Sequence, residues 1–283
     1  MSKSVSYLVY CILLLLIPAE AIAQNLSLGL KFLDSSHQYR VEDPNRALVA
    51  ELVFPSKSLV GVVSYTQKVS TGKFSYTFEH LIKNRNTTGT DTDWFQENIS
   101  VFSQSSTELE QYYGLSLAYE HGLSDFLNVN VSLFHRYWKL NWSDTKQYDY
   151  INDIYSEYAS KTVRFTQTFN GLSLGLSYKD KLLNLPVCIF VAGKVVKHDS
   201  LDEHLARNFY TRSEDWLYGY ATGASVEVLN NEYGALDISA KYEVVSGDSS
   251  MDFYNSGHTK YLSLPASFET IQKSMKITYT FSL

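Results

Sequence analysis

The feature that narrows the fold most is a strict two-residue alternation at the end of the chain. Met275, Ile277, Tyr279, Phe281 and Leu283 are apolar or aromatic, while Lys276, Thr278, Thr280 and Ser282 between them are polar. Residues two apart on extended backbone share a face, so this segment is a strand with one apolar and one polar side. The pattern recurs at Leu26, Leu28, Leu30 and Phe32, at Leu127, Val129, Val131 and Leu133, and at Leu172, Leu174 and Leu176. A closed membrane barrel needs such strands, with lipid outside and a polar lumen inside. Beyond the N-terminal stretch no segment approaches a membrane-spanning apolar run, so a helical crossing is not expected.

Composition agrees with a barrel. The chain has 22 Tyr, 15 Phe and 4 Trp, the residue types that form aromatic girdles at membrane interfaces. A formal charge of -6 and the lack of a basic stripe with interleaved aromatics argue against a nucleic-acid partner. Residues 1–23 read as a secretory signal: Lys3 is the positive start, residues 7–17 are the short apolar run, and Ala21-Ile22-Ala23 is a small-x-small cleavage site. Its removal leaves Cys188 as the one cysteine, so no internal disulfide is expected.

Residues 24–283 then form one domain. Alternating segments begin near Leu26, Ala47, Phe74, Tyr113, Leu127, Leu172, Val187, Asp215, Leu236 and the terminal strand. That predicts an all-β, ten-stranded antiparallel transmembrane barrel with long extracellular loops. The polar stretches 34–46, 90–107, 144–161, 198–214 and 246–260 read as those loops. An even strand count puts both chain ends on one side and the loops on the other. A β-sandwich would also alternate, but requires neither the signal, the aromatic excess nor this final strand.

Two polar stretches hold paired chemistry. Asp202 and His204 share a face on extended backbone, with Glu203 on the other. A carboxylate beside an imidazole fixes its tautomer and stabilises its protonated form, which makes a usable base. Asp91 and Asp93 have the same spacing, and two close carboxylates cannot both ionise freely. Each pair alone is also what a solvated loop carries. A metal reading would gather His198, Asp199, Asp202 and His204, but their spacing matches no common zinc motif, and no metal is expected.

Together the pairs resemble the omptin family, the outer-membrane aspartyl-type endopeptidases of Gram-negative bacteria. Asp91-Thr92-Asp93-Trp94 is similar to the family's D-x-D-W, and Asp202-Glu203-His204 to its D-E-H. Leu26-Ser27-Leu28-Gly29 and Gln167-Thr168-Phe169 are weaker anchors. The family's W-T-D-x-S-x-H-P stretch is absent from residues 100–110, which marks a distant member. The resemblance implies a site at the extracellular end of the barrel. His204 is then the general base oriented by Asp202, Asp91 shares a water with His204, and Asp93 sets the charge of Asp91. It also places His37 and Ser200 in the substrate pocket where the family carries acids, which lowers the pocket's negative charge.

The same resemblance implies dependence on lipopolysaccharide, with Arg136, Lys139 and Arg164 as the nearby basic candidates, and no other cofactor. Expected partners are extracellular peptides or proteins and outer-membrane lipid, with the barrel a monomer. The competing class is a non-enzymatic adhesin that presents its loops. All four catalytic-type residues together favour the enzyme, since adhesion has no chemical need for them.

Overall fold

The computed structural model describes residues 24–282, and the expected signal at 1–23 lies outside the described residues. Twelve strands form one antiparallel sheet. They are β1 (Gln24–Asp43), β2 (Leu48–Val69), β3 (Gly72–Arg85), β4 (Thr87–Phe95), β5 (Asn98–Gly122) and β6 (Leu127–Asp149). Then follow β7 (Ile154–Tyr158), β8 (Val163–Leu182), β9 (Leu185–His204), β10 (Phe209–Asn231), β11 (Gly234–Asn255) and β12 (Lys260–Ser282). The pairing returns to its start, because β12 lies on β1 from Asn25↔Ser282 to Val41↔Ala266.

The count is twelve rather than the expected ten because two walls are broken. β3 and β4 follow one another along both β2 and β5. β7 and β8 follow one another along β6. The expected long loops are also corrected. Residues 34–43, 90–95, 98–107, 198–204 and 246–255 are strand, and the connections at that end are short turns. Above the apolar belt the outer faces of these strands turn polar, so the lipid-type alternation disappears while the inward alternation continues. On β1, for example, Asp34, Gln38 and Arg40 face out while Leu33, Tyr39 and Val41 are buried.

The belt is the outer face that the opening alternation demands. Leu28, Leu30 and Phe32 on β1, Leu172, Leu174 and Leu176 on β8, and Ile189 and Val191 on β9 are exposed. Trp216, Tyr218 and Tyr220 stand exposed on β10, and Tyr178, Tyr233 and Phe281 lie near the turns at the opposite end. So large a contiguous apolar surface requires an apolar medium around it.

Within the belt the interior is filled by ions. Arg136 forks onto Glu243 at 2.6 and 3.3 Å. Lys194 and Lys241 reach the same carboxylate at 2.7 and 2.6 Å. Lys31 meets Glu79 at 2.6 Å, and Tyr112 also donates to Glu79. Toward the end that carries Asp91 and His204 an aromatic layer replaces the ions. Phe54 stacks between Trp142 and Phe165 at centroid distances of 4.4 and 4.5 Å, and Trp138 is fully buried beside Tyr112.

Glu243 is the hub of the ionic layer, since three cations converge on it. Removing one member of a buried ionic cluster leaves the others uncompensated, at a cost of about 3–5 kcal/mol. Glu243→Gln is therefore expected to lower the unfolding free energy of the refolded protein by that much, read as a lower denaturant midpoint. An unchanged midpoint would mean that the layer is solvated rather than packed.

Candidate active site

Asp202 and His204 sit on β9, not on a loop, and both point inward. β9 pairs here with Phe165 and Val163 of β8 and with Thr211 and Phe209 of β10, which fixes the backbone on both sides. The Asp202 carboxylate is 1% exposed. Its Oδ2 lies 3.2 Å from His204 Nε2 and also accepts a hydrogen bond from the hydroxyl of Tyr39, which reaches in from β1. With Nε2–H donated to Asp202, Nδ1 of His204 remains the basic nitrogen. The imidazole plane is held by Phe209, stacked at 4.2 Å and 14°.

Asp91 and Asp93 are on β4, held between β2 and β5, with Asp91 opposite Leu52 and Ser103. The strand leads into a turn at Gln96 and Glu97, both with positive φ. Two residues before Asp91, Gly89 is needed for packing. A Cβ there would come within 2.5 Å of the Trp142 indole nitrogen and the Thr107 hydroxyl. Its absence lets the indole lie directly beneath Asp91.

Asp91 and His204 line one cavity of about 70 Å³, together with Ser103, Trp142, Thr145, Thr162 and Arg207. Asp91 Oδ1 and the Trp142 nitrogen are buried without a protein partner, so the cavity offers a water both room and polar contacts. Burial, reinforced by the neighbouring Asp93 carboxylate, pushes the Asp91 carboxyl up to about 7, against the opposing pull of His204 and Arg207. Burial raises Asp93 as well, again opposed by Arg207 and His204. The site thus joins a carboxyl that keeps its proton up to near neutral pH, an oriented imidazole and space for a water, the components needed to activate water against a carbonyl.

Three of these contributors have no counterpart in the sequence reading. Tyr39 follows the inward parity of β1 and becomes visible once that strand is continued past Asp34. Arg207 lies in the turn after β9, where its N–H and that of Asn208 bond His204 O at 3.1 and 2.9 Å. Phe209 is the register partner of His204.

The remaining candidates lie elsewhere. His37 and Ser200 are 0% and 2% exposed, in a buried layer next to the one that holds Asp202 and His204. His37 Nδ1 is 3.1 Å from Thr270 Oγ1, and its ring packs edge-on to Trp138. Burial pushes His37 down to about 3 and His198 down to about 4, so both stay neutral. Asp199 faces outward onto Arg212 at 2.9 Å, away from His198 and Asp202, so the four metal candidates do not gather. Arg136 is corrected from an outer-wall candidate to an interior one, since its parity on β6 points it at Glu243. Lys139 and Arg164 do stand on the outer wall, paired with Glu110 at 3.0 Å and Glu203 at 3.2 Å.

No family model matches the chain, and no curated protein sequence does. Solved structures do match. The outer membrane protease OmpT from Escherichia coli has a TM-score of 0.77 at 11% identity, covering 94% of this chain and 99% of that one. The translocator domain of the autotransporter NalP from Neisseria meningitidis gives 0.45 at 8% identity, covering 100% and 98%. OprG from Pseudomonas aeruginosa gives 0.38 at 11%, covering 90% and 97%. At 11% identity the likeness to OmpT is one of fold, and this chain is an all-β protein whose closed antiparallel sheet matches that of an outer-membrane protein.

Proposed function

We propose that the chain is an omptin-like endopeptidase, spanning a bacterial outer membrane as a barrel of ten wall positions and cutting peptides at its extracellular end. The observation that carries this reading is the meeting of Asp91 and His204, from separate walls, on one cavity with room for water, with Asp202 fixed behind His204. The exposed apolar belt supports the membrane, and the closed pairing supports a monomer, since no partner strand is needed.

In the proposed reaction a water in the cavity attacks the scissile carbonyl carbon and gives its proton to His204 Nδ1. Asp202 stabilises the resulting imidazolium. Neutral Asp91 donates a hydrogen bond to the developing oxyanion. The proton then passes from His204 to the leaving amine as the C–N bond breaks, with no covalent enzyme intermediate. His37 and Ser200 lie sealed beneath the site and add no negative charge to it, which gives no reason to prefer basic side chains. Lys139 and Arg164 are the outer-wall candidates for lipopolysaccharide phosphates.

A second reading, adhesion, has an observation in its favour: Tyr150, Ile151, Ile154 and Tyr155 are exposed at the β6–β7 tip. Peptide-library cleavage by the refolded barrel, with and without lipopolysaccharide, separates the two. His204→Ala and Asp91→Ala are each expected to lower cleavage by at least about 100-fold. A folded wild type that cuts nothing with lipid supplied would favour adhesion.

Asp91 also links the site to pH. Its folded value of about 7 lies above the ordinary 3.8, so the folded protein holds this proton more tightly than the unfolded chain does. The stability this confers is fully present below 3.8 and is lost as pH rises through about 7. Cleavage should fall over the same upper limb, with Asp91 and Asp93 titrating as a pair. Asp91→Asn should raise stability at pH ~8 by about 2–4 kcal/mol and change little at pH ~4. A variant no more stable than wild type at the higher pH would remove neutral Asp91 as the donor.

A further inference from the structure

Closure of the sheet leaves one strand incomplete. Among the described residues β7 pairs with β6 alone and ends the strand order at that point. The direction of its free groups follows from the ladder. Tyr150 N–H bonds Ser100 O of β5 at 2.8 Å, so on this stretch of β6 the even-numbered residues address β5. The odd-numbered Thr145, Gln147 and Asp149 therefore address β7, opposite Tyr158, Ser156 and Ile154. That leaves the backbone N–H and C=O of Tyr155 and Glu157 on the open side, with no described strand to receive them.

The open side faces the direction in which β9 and its turn stand. Leu205 N–H bonds Thr162 O at 2.8 Å, tying that turn to the segment joining β7 and β8. Tyr158, Thr162, Ala206 and Arg207 line the same cavity as Asp91 and His204. An unpaired edge thus runs up to the reactive groups. β7 is short and carries one charge, Glu157, but neither Pro nor Lys interrupts its open edge.

We propose that the open edge of β7 docks an extended segment of substrate as an added strand, and so leads its following residues into the cavity of Asp91 and His204. The occupant is fixed by chemistry: an edge of backbone donors and acceptors is satisfied by another extended main chain, largely regardless of its side chains. A peptide held this way presents its bonds stretched out. The destination of the segment rests on the proteolytic reading, whereas the docking does not.

The test uses the full barrel carrying His204→Ala, so that binding is read without cleavage. The probe is a fluorescein-labelled, neutral peptide of alternating Thr and Gln, followed by anisotropy. Glu157→Pro deletes an open-edge N–H and leaves the β6 ladder untouched, whereas Glu157→Ala keeps that N–H and removes only the carboxylate. Glu157→Pro is expected to weaken binding roughly three- to tenfold, and Glu157→Ala less than about twofold. Equal binding by the two variants would overturn the proposal. A probe N-methylated at every residue, with no backbone N–H left on either edge, makes the same test on an unaltered β7, and undiminished binding of that probe would also overturn it. Selective loss of binding in Glu157→Pro, in a protein whose wild type cuts no peptide, would uphold docking and remove proteolysis.

Discussion

The pairing of β12 on β1 is the contact on which everything else depends. It joins segments from the two ends of the described chain and removes the sheet's outer edges. Within an apolar medium an unpaired backbone group costs several kcal/mol, so only a closed circuit can carry the exposed belt of Leu28, Leu172 and Ile189. Closure also creates an inside. Each strand must send alternate residues into it, and what those residues are decides whether the interior is a channel, a core or a site. Where the wall rises beyond the belt, water can satisfy an open edge, and there the structure tolerates β7.

The interior is divided along its length. Ions centred on Glu243 fill the part surrounded by the belt, and aromatics around Phe54 and Trp142 fill the part beyond it. The aromatic layer is the dry floor of the site, and burial is the first cause of the raised Asp91 carboxyl. Three histidines point inward above the belt, but they are not equivalent. His37 and His198 are sealed in and pushed toward the neutral form, whereas His204 reaches the cavity and has a carboxylate behind it. Position along one strand, six residues from His198 to His204, separates a packed imidazole from an available one.

The belt was legible in the sequence because lipid imposes a strict alternation, and the pairs Asp91–Asp93 and Asp202–His204 were legible because extended backbone puts their members on one face. The strand extensions were not. Past Asp34 on β1 and Lys197 on β9 both faces carry polar residues, so a reading that seeks apolar-out alternation sees a loop. The breaks that make twelve strands of ten walls have no clear signal either, since Asn86 and residues 159–162 look like their surroundings. Arg136 was misplaced for a simpler reason. A basic residue next to Tyr137 suggests an interface anchor, but one step of parity turns it onto Glu243. Tyr39 and Phe209 act through contacts that depend on register, which one strand's sequence does not contain.

The charge balance at the site also bears on when the proposed reaction is possible. Asp91 is kept near the point of ionisation by opposing influences: burial and Asp93 favour the proton, while His204 and Arg207 favour its loss. A peptide lying across the cavity would exclude water from this corner and add to the burial. Desolvation disfavours the charged carboxylate, so the neutral form gains with substrate in place. The same exclusion of water strengthens the hydrogen bond between His204 and Asp202, because the local dielectric falls. Both groups are thus driven toward their working states by the arrival of the chain to be cut. A site that is only partly poised when open is therefore better poised when filled, and the cavity between Asp91 and His204 keeps room for the attacking water.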